Sequence, residues 1–249
     1  MNYGTRSYRF EIASRRRIDD EIWDKHEVDQ LYDGQNCELL VEICGTRDPR
    51  SHMIMDLGLL DTDINKILEN FDHKTIDYSF SVLATKLWTA IRLNYGSVRR
   101  IRLYENKNVW HDVGDNKFMD VTRTYTFNAA HRTNNDDLIV EENVELYGKC
   151  NTLHGHEYRL VTTVRGTLDP LHGTVISSEF MDETVEKVLE PLRNRVLNEV
   201  IRENATTENF IRYLWEQLVD QFDNDSSRLY RLRLHETERN YFDYYGDQL

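Results

Sequence analysis

An internal repeat constrains the fold of this 249-residue chain more than any other feature. The segment Gly45-Thr46-Arg47-Asp48-Pro49 recurs as Gly166-Thr167-Leu168-Asp169-Pro170, at an offset of 121 residues. The same offset continues without a gap to Asp77 and Asn198, and apolar positions mostly pair with apolar ones. A gapless match of turn residues, apolar pattern and length indicates a duplication of one structural unit.

Each half predicts the same series of elements: a strand, a long loop, a second strand, two helices and a closing strand. The strands are predicted by alternating apolar and β-branched residues at 8–13, 39–44 and 98–104, and at 124–129, 158–165 and 229–235. Helical spacing of Leu60, Ile64 and Phe71 predicts the first helix of the first half. Residues 112–123 are the predicted linker. The pattern therefore predicts an α+β chain with domains at 1–115 and 122–249.

Composition narrows the class of protein. Hydrophobic residues make up 39% and charged residues 30%, which favours a packed core over disorder. A formal charge of −13 argues against nucleic acid as a partner, because this field repels phosphate backbones. No stretch approaches the roughly 18 apolar residues of a membrane span. Three cysteines and a polar amino terminus are typical of a cytoplasmic protein without a membrane partner.

The strongest local signal is a pair of histidines around one glycine. On a strand, His154 and His156 point to the same side and can share one cation, and Gly155 allows close backbone approach. His131, at the end of the preceding strand, offers a third imidazole, which would complete a catalytic zinc site with an open position. Two alternatives stay open: a surface histidine pair, and a closed structural zinc site with Cys150 as fourth ligand.

Four motifs in register resemble the 6-pyruvoyltetrahydropterin synthase and 6-carboxytetrahydropterin synthase family. They are Phe-X-Ala-Ala-His at 127–131, Cys-X₃-His-Gly-His-X-Tyr at 150–158, Thr-Thr-Glu-Asn at 206–209, and Glu-Thr at 236–237. Together they extend over nearly the whole second half. The resemblance implies two tandem T-fold halves, each an antiparallel four-stranded sheet with two helices, that assemble into a barrel.

The resemblance also implies functions for individual residues. The three histidines would bind Zn²⁺, and the thiolate of Cys150 would act as general base. Glu236 would accept hydrogen bonds from the amino group and ring N–H of a pterin, with help from Glu208. The alternative functions are a solvated charge for Glu236 and a helix-capping acid for Glu208.

The second half lacks one element of the family pattern, an Asp-His pair after the first helix. It has Arg193 and Asn194 there, and neither side chain can shuttle protons at neutral pH. The first half has Asp72 and His73 at the equivalent positions. Conversely, the first half has lost the metal pattern: Ser14, Asp33, Gln35 and Asp29 stand at the positions of His131, His154, His156 and Cys150. This reciprocal loss predicts one composite site divided between unlike halves; the alternative is an Asp-His pair that survives by accident.

The resemblance implies 7,8-dihydroneopterin triphosphate as the substrate. The three-residue gap between Cys150 and His154 resembles the bacterial 6-carboxytetrahydropterin synthases, which implies a carbon–carbon lyase on the route to queuosine and other deazaguanine nucleosides. The alternatives are a 6-pyruvoyltetrahydropterin synthase and a non-catalytic pterin-binding scaffold. Residues 15–17 are three arginines that could bind triphosphate, although a solvated charge run is the simpler interpretation. Exposed sheet edges predict a homo-oligomer, a dimer or trimer of chains.

Overall fold

The structure is a computed structural model that describes residues 1–15, 32–115, 117–201 and 204–246. The chain divides into two compact units. Unit 1 comprises Met1–Val121 and Thr167–Val175, and unit 2 comprises Thr122–Gly166 and Ile176–Leu249. Within the described ranges, none of the helices has the length and apolar character that crossing a bilayer requires.

Unit 1 is a sheet with two helices. Its strands are β1 (Asn2–Arg15), β2 (Tyr32–Gly45), β3 (Lys74–Ile76), β4 (Val98–Asn106) and β5 (Val109–Gly114). The strand order is β3-β1-β2-β4-β5, antiparallel except for the short parallel pairing of β3 with β1. Helices α1 (Leu57–Leu68) and α2 (Phe80–Asn94) start at the side-chain caps Asp56 and Ser79.

Alternation along the strands gives the unit 1 sheet one packed face. On β1, Tyr8, Phe10 and Ile12 are buried, whereas Arg9 and Glu11 between them are exposed. The core is completed by helix residues four positions apart: Leu60, Ile64 and Leu68 on α1, and Leu83, Leu87 and Ile91 on α2. The opposite face of the sheet carries polar side chains.

Unit 2 repeats most of this plan, but within the described residues it has four strands where unit 1 has five instead of the predicted four. Its strands are β6 (Met119–His131), β7 (His154–Gly166), β8 (Ser227–Thr237) and β9 (Asn240–Tyr244), in the order β6-β7-β8-β9. Its helices are α3 (Val140–Tyr147), α4 (Ser178–Leu189) and α5 (Thr207–Phe222). Helices α4 and α5 match α1 and α2 of unit 1, whereas α3 lies in the loop between β6 and β7.

Side-chain contacts repeat between the units as the sequence does. An arginine and a tyrosine of the first strand both donate hydrogen bonds to one aspartate of the first helix: Arg6 and Tyr8 to Asp61, and Arg123 and Tyr125 to Asp182. The turn after each second strand is also the same, with Asp48 and Asp169 each accepting two backbone N–H groups. These shared contacts support the duplication.

The predicted linker at 112–123 is wrong in most of its length. Residues 112–114 belong to β5 and residues 119–123 to β6, so the connection between the strands is 115–118. Sequence pattern missed β5 because a polar residue is buried there: Asp112 forms a bidentate pair with Arg102 on β4. In unit 2, Arg233 and Asp243 form the same pair between β8 and β9.

Candidate metal centre and Asp-His pair

Three histidines converge at the ends of two strands of unit 2. His131 is the last residue of β6, and His154 and His156 start β7 on the same side of the strand. Their ring centroids are 4.7, 5.0 and 5.3 Å apart, and the candidate ligand atoms lie within 4.8 Å of one another. The predicted histidine cluster is therefore present, and it could hold a metal ion.

Backbone carbonyls orient two of these rings. The Nδ1 of His131 lies 2.6 Å from the carbonyl oxygen of Ala205, and the Nδ1 of His154 lies 2.7 Å from that of Thr152. A carbonyl can only accept, so Nδ1 carries the proton and Nε2 keeps its lone pair in each neutral ring. Among the described residues, the buried Nε2 atoms of His131 and His156 have no hydrogen-bond partner. Two unpartnered imidazole lone pairs beside a third imidazole fit a bound cation.

Glu236, at the end of β8, lies beside this cluster. Its Oε1 is 3.4 Å from Nε2 of His131 and 3.6 Å from Nε2 of His156. Both distances exceed those of good hydrogen bonds. The imidazole of His131 is the main cause that lowers the pKa of Glu236 to about 2, against the effect of burial. Glu236 is therefore a carboxylate at neutral pH.

Two further residues hold the Glu236 side chain, and sequence reasoning did not identify either. The hydroxyl of Thr207 donates to Oε1 at 2.9 Å, and the amide of Asn240 donates to Oε2 at 2.7 Å. Thr207 belongs to the Thr-Thr-Glu-Asn motif and could have been found there. Asn240 had no signal, because its contact depends on the turn between β8 and β9.

Cys150 and Glu208 stand apart from the three imidazoles. Cys150 is exposed in a short 3₁₀ helix, Gly148–Asn151, shortly before β7. Its thiol is not among the ligand atoms that group around a possible cation, which favours an open three-histidine site over a closed one. Glu208 is exposed in the first turn of α5, a position where a carboxylate stabilises a helix amino terminus.

The residues that replace the Asp-His pair in unit 2 have structural contacts. Arg193 donates to the carbonyl of Thr126 at 2.8 Å and pairs with Glu186. Asn194 adopts φ 57°, and its N–H donates to the carbonyl of Asn128 at 2.7 Å. An asparagine tolerates this left-handed conformation well. This loop of unit 2 keeps the backbone shape of its counterpart without an acid–base group.

The Asp-His pair of unit 1 occupies that same backbone shape. His73 adopts φ 56°, and its N–H donates to the carbonyl of Glu11 at 2.7 Å. Asp72 Oδ2 is 3.1 Å from Nδ1 of His73, which is 75% exposed. The N–H of Glu11 donates to the Asp72 carboxylate and is the main cause that lowers the pKa of Asp72. An ionised aspartate thus contacts an accessible imidazole.

This pair borders a pocket of about 780 Å³ in unit 1. The pocket lies against β1, β2 and β4, and its charged lining residues are Arg9, Glu11, Glu38, Asp72, His73 and Lys107. Both signs of charge are represented. An accessible imidazole beside a pocket of this size has room to meet a reacting group.

The lost metal positions of unit 1 do not form a ligand cluster within the residues that the structure describes. Ser14 pairs with Asp33 across β1 and β2, and Gln35 pairs with Ile12. Asp29, at the position of Cys150, lies outside the described residues, as do Arg16 and Arg17. Arg15 ends β1.

Unit 1 retains a glutamate at the position of Glu236, but its surroundings differ. Equivalent register shifts in β4 and β8 place Glu105 at this position. Its Oε1 is 2.6 Å from Nε2 of buried His111, whose Nδ1 is 3.2 Å from the Ser81 hydroxyl. His111, in the same unit, is therefore the hydrogen-bond partner of the Glu105 carboxylate. Sequence reasoning missed this cluster.

Both halves match a family model described as 6-pyruvoyl tetrahydropterin synthase, over residues 5–116 and 120–247. The chain belongs to the 6-pyruvoyl tetrahydropterin synthase family. It carries two copies of the family domain in tandem, which confirms the resemblance drawn from the motifs. The fold is accordingly a T-fold-like α+β arrangement of sheet and helices. The family comprises lyases.

Curated relatives and solved structures correspond to one half of the chain. A 6-pyruvoyl tetrahydrobiopterin synthase of Poecilia reticulata is 37% identical over 134 residues, covering 51% of this chain and 90% of the relative. The Homo sapiens enzyme of the same name is 35% identical, covering 51% and 91%. The structure of Caenorhabditis elegans 6-pyruvoyl tetrahydropterin synthase is 32% identical, with a TM-score of 0.49, covering 52% of this chain and 96% of that chain.

Proposed function

We propose that this family member is a zinc-dependent lyase that acts on 7,8-dihydroneopterin triphosphate. The observation that carries the proposal is the convergence of three imidazoles with two buried, unpartnered Nε2 atoms beside an ionised glutamate. His131, His154 and His156 would hold the ion. Zinc supplies a Lewis acid that acidifies the hydroxyl and C–H groups of a substrate side chain.

The remaining residues divide between binding and proton transfer. Glu236 would anchor the pterin, because a carboxylate matches the planar edge formed by the amino group and ring N–H. Its two oxygens retain acceptor capacity beyond the bonds from Thr207 and Asn240. Cys150 would act as general base, and its exposure supports access to a substrate. Glu208 is a secondary candidate for binding.

His73 would carry the complementary proton transfers. Asp72 contacts Nδ1 and fixes the tautomer, so Nε2 is the atom that exchanges protons. Among the described residues, the unit that holds this pair has no histidine cluster, so each complete site needs one first half and one second half. Closure of T-fold sheets into a barrel in a dimer or trimer of chains would bring unlike halves together.

The family comparison changes the preferred product. The curated relatives at 33–37% identity are named 6-pyruvoyl tetrahydrobiopterin synthases, which favours triphosphate elimination with formation of 6-pyruvoyltetrahydropterin. The expected 6-carboxytetrahydropterin synthase of the queuosine route becomes the second candidate. It is favoured by the three residues between Cys150 and His154.

One reaction tests the proposal and separates the candidates. Zinc-loaded protein is incubated with 7,8-dihydroneopterin triphosphate, and the products are identified by mass spectrometry. Pyruvoyl product with triphosphate supports the first candidate, and carboxypterin with acetaldehyde supports the second. Glu236→Gln is the matched control, because it keeps the shape of the side chain and removes the charge. Pterin binding without any turnover would contradict a lyase and leave a pterin-binding scaffold.

A further inference from the structure

Tyr158 carries a buried hydroxyl group that the assignments above do not use. Its side chain is fully buried on β7, where the ring stacks on Phe127 at 5.5 Å and meets Phe210 edge to face at 5.3 Å. Within the described residues, its hydroxyl has no hydrogen-bond partner. The ring is therefore packed against two aromatic neighbours, whereas the hydroxyl is unpaired among the described residues.

A buried, unpaired hydroxyl destabilises a folded protein, because the group has lost its bonds to water. A phenylalanine would provide the same ring packing without this cost. Buried tyrosines usually find a partner for the hydroxyl for this reason. The tyrosine at this position is thus poorly explained by packing alone.

The location of Tyr158 points to the candidate metal centre. Its ring centroid is 5.5 Å from that of His156 and 6.2 Å from that of His131. The phenol hydroxyl can donate one hydrogen bond.

The repeat supplies an independent comparison. At the offset that relates the halves, Cys37 stands in unit 1 where Tyr158 stands in unit 2. The first strands of the two halves are related by an offset of 117 residues, and Phe10 stands there at the position of Phe127. Unit 1 has therefore lost the tyrosine together with the three histidines.

We infer that the Tyr158 hydroxyl donates a hydrogen bond to the ligand of this site, at an acceptor atom of the pterin that Glu236 anchors. Tyr158 would then contribute to the affinity and orientation of the pterin. This inference rests on the proposed function of the site. It adds a ligand-binding residue and a specific atom of contact to that function.

Binding of neopterin, the proposed substrate without reduction and triphosphate, tests the inference. Dissociation constants are measured by pterin fluorescence with zinc-loaded wild-type protein and with Tyr158→Phe. We expect neopterin to bind about 10-fold more weakly to the variant, the scale of one lost hydrogen bond to a buried acceptor. The zinc content should stay unchanged, and the melting temperature should stay equal or rise, since an unpaired hydroxyl has been removed.

Thr162→Val is the matched control variant. Thr162 lies four residues further along β7, and its fully buried hydroxyl likewise has no partner within the described residues. This position is about 13 Å away along the strand. The Thr162 variant should bind neopterin as the wild-type protein does, with a melting temperature that is equal or higher.

The outcomes separate the inference from the proposed function. Equal neopterin affinity of Tyr158→Phe and wild type, with Glu236→Gln impaired, overturns the inference alone. Loss of zinc in Tyr158→Phe overturns it as well, because the hydroxyl would then support the metal centre. Failure of the wild-type protein to bind neopterin, or full binding by Glu236→Gln, contradicts the proposed pterin site itself.

Discussion

Replacing His73 by asparagine should abolish most turnover while leaving the fold intact. The equivalent position of unit 2 is Asn194, which adopts φ 57° against 56° for His73. Asparagine therefore keeps this backbone conformation, whereas alanine would add a strain of about 1 kcal/mol. The His73 side chain is 75% exposed, so its removal costs little packing. The imidazole is the only group whose loss should matter.

Because the substitution removes the imidazole and keeps the fold, we expect its effect to be on turnover. Loss of a positioned acid–base group typically reduces turnover by about 10²–10⁴-fold. Steady-state kinetics with 7,8-dihydroneopterin triphosphate should show this reduction in kcat, with unchanged zinc content and an unchanged melting temperature. Wild-type turnover by His73→Asn would refute the reasoning, because unit 1 would then contribute no chemistry.

A mixing experiment extends this prediction to the arrangement of the halves. His73→Asn and Cys150→Ala are each expected to be inactive, and the two variants can be co-assembled from denaturant. Composite sites between chains should recover activity, since some sites then combine an intact first half with an intact second half. No recovery would assign both halves of each site to one chain.

Three further predictions address metal, stability and assembly. Elemental analysis of the purified protein should show about one zinc per chain. His154→Ala should lose this zinc, and Cys150→Ala should retain it. Loss of zinc in the Cys150 variant would mean that the thiol is a metal ligand. Glu105→Gln should lower the free energy of unfolding by about 1 kcal/mol, since it replaces the charge-assisted hydrogen bond to buried His111 with a neutral one, without changing neopterin affinity. Weaker neopterin binding in that variant would mean that unit 1 holds a pterin site of its own. Sedimentation at micromolar concentration should show a dimer or trimer of chains, and a stable monomer would contradict barrel closure.

Several features could be predicted from sequence because their pattern is local. His154 and His156 share one side of a strand wherever that strand lies, since side chains alternate with a period of two. The repeat predicted a second unit of the same design, and the contacts of Asp61 and Asp182 agree with it. The reciprocal loss of Asp-His pair and histidines could likewise be read by aligning one half with the other.

The predicted linker failed for a physical reason that pattern does not contain. In the sequence, Asp112 is typical of a polar loop. In the structure it is buried, and its ion pair with Arg102 stabilises the pairing of β5 with β4. The short strand β9 was missed similarly, because its Asp243 pairs with Arg233 on β8. Charge pairing across strands is invisible to hydrophobic periodicity.

The sequence by itself determined the duplicated fold, the three imidazoles and the Asp-His pair, because each follows from a repeat or a motif that is visible along the chain. Only the tertiary structure decided how these groups are held. The carbonyl of Ala205 orients His131 across 74 residues of chain, and Thr207 reaches Glu236 across 29. Among the residues that the structure describes, the same packing left the Tyr158 hydroxyl without a partner and gave Glu105 one in His111. Such pairings depend on where separate elements meet in space, and packing of the whole core sets those positions.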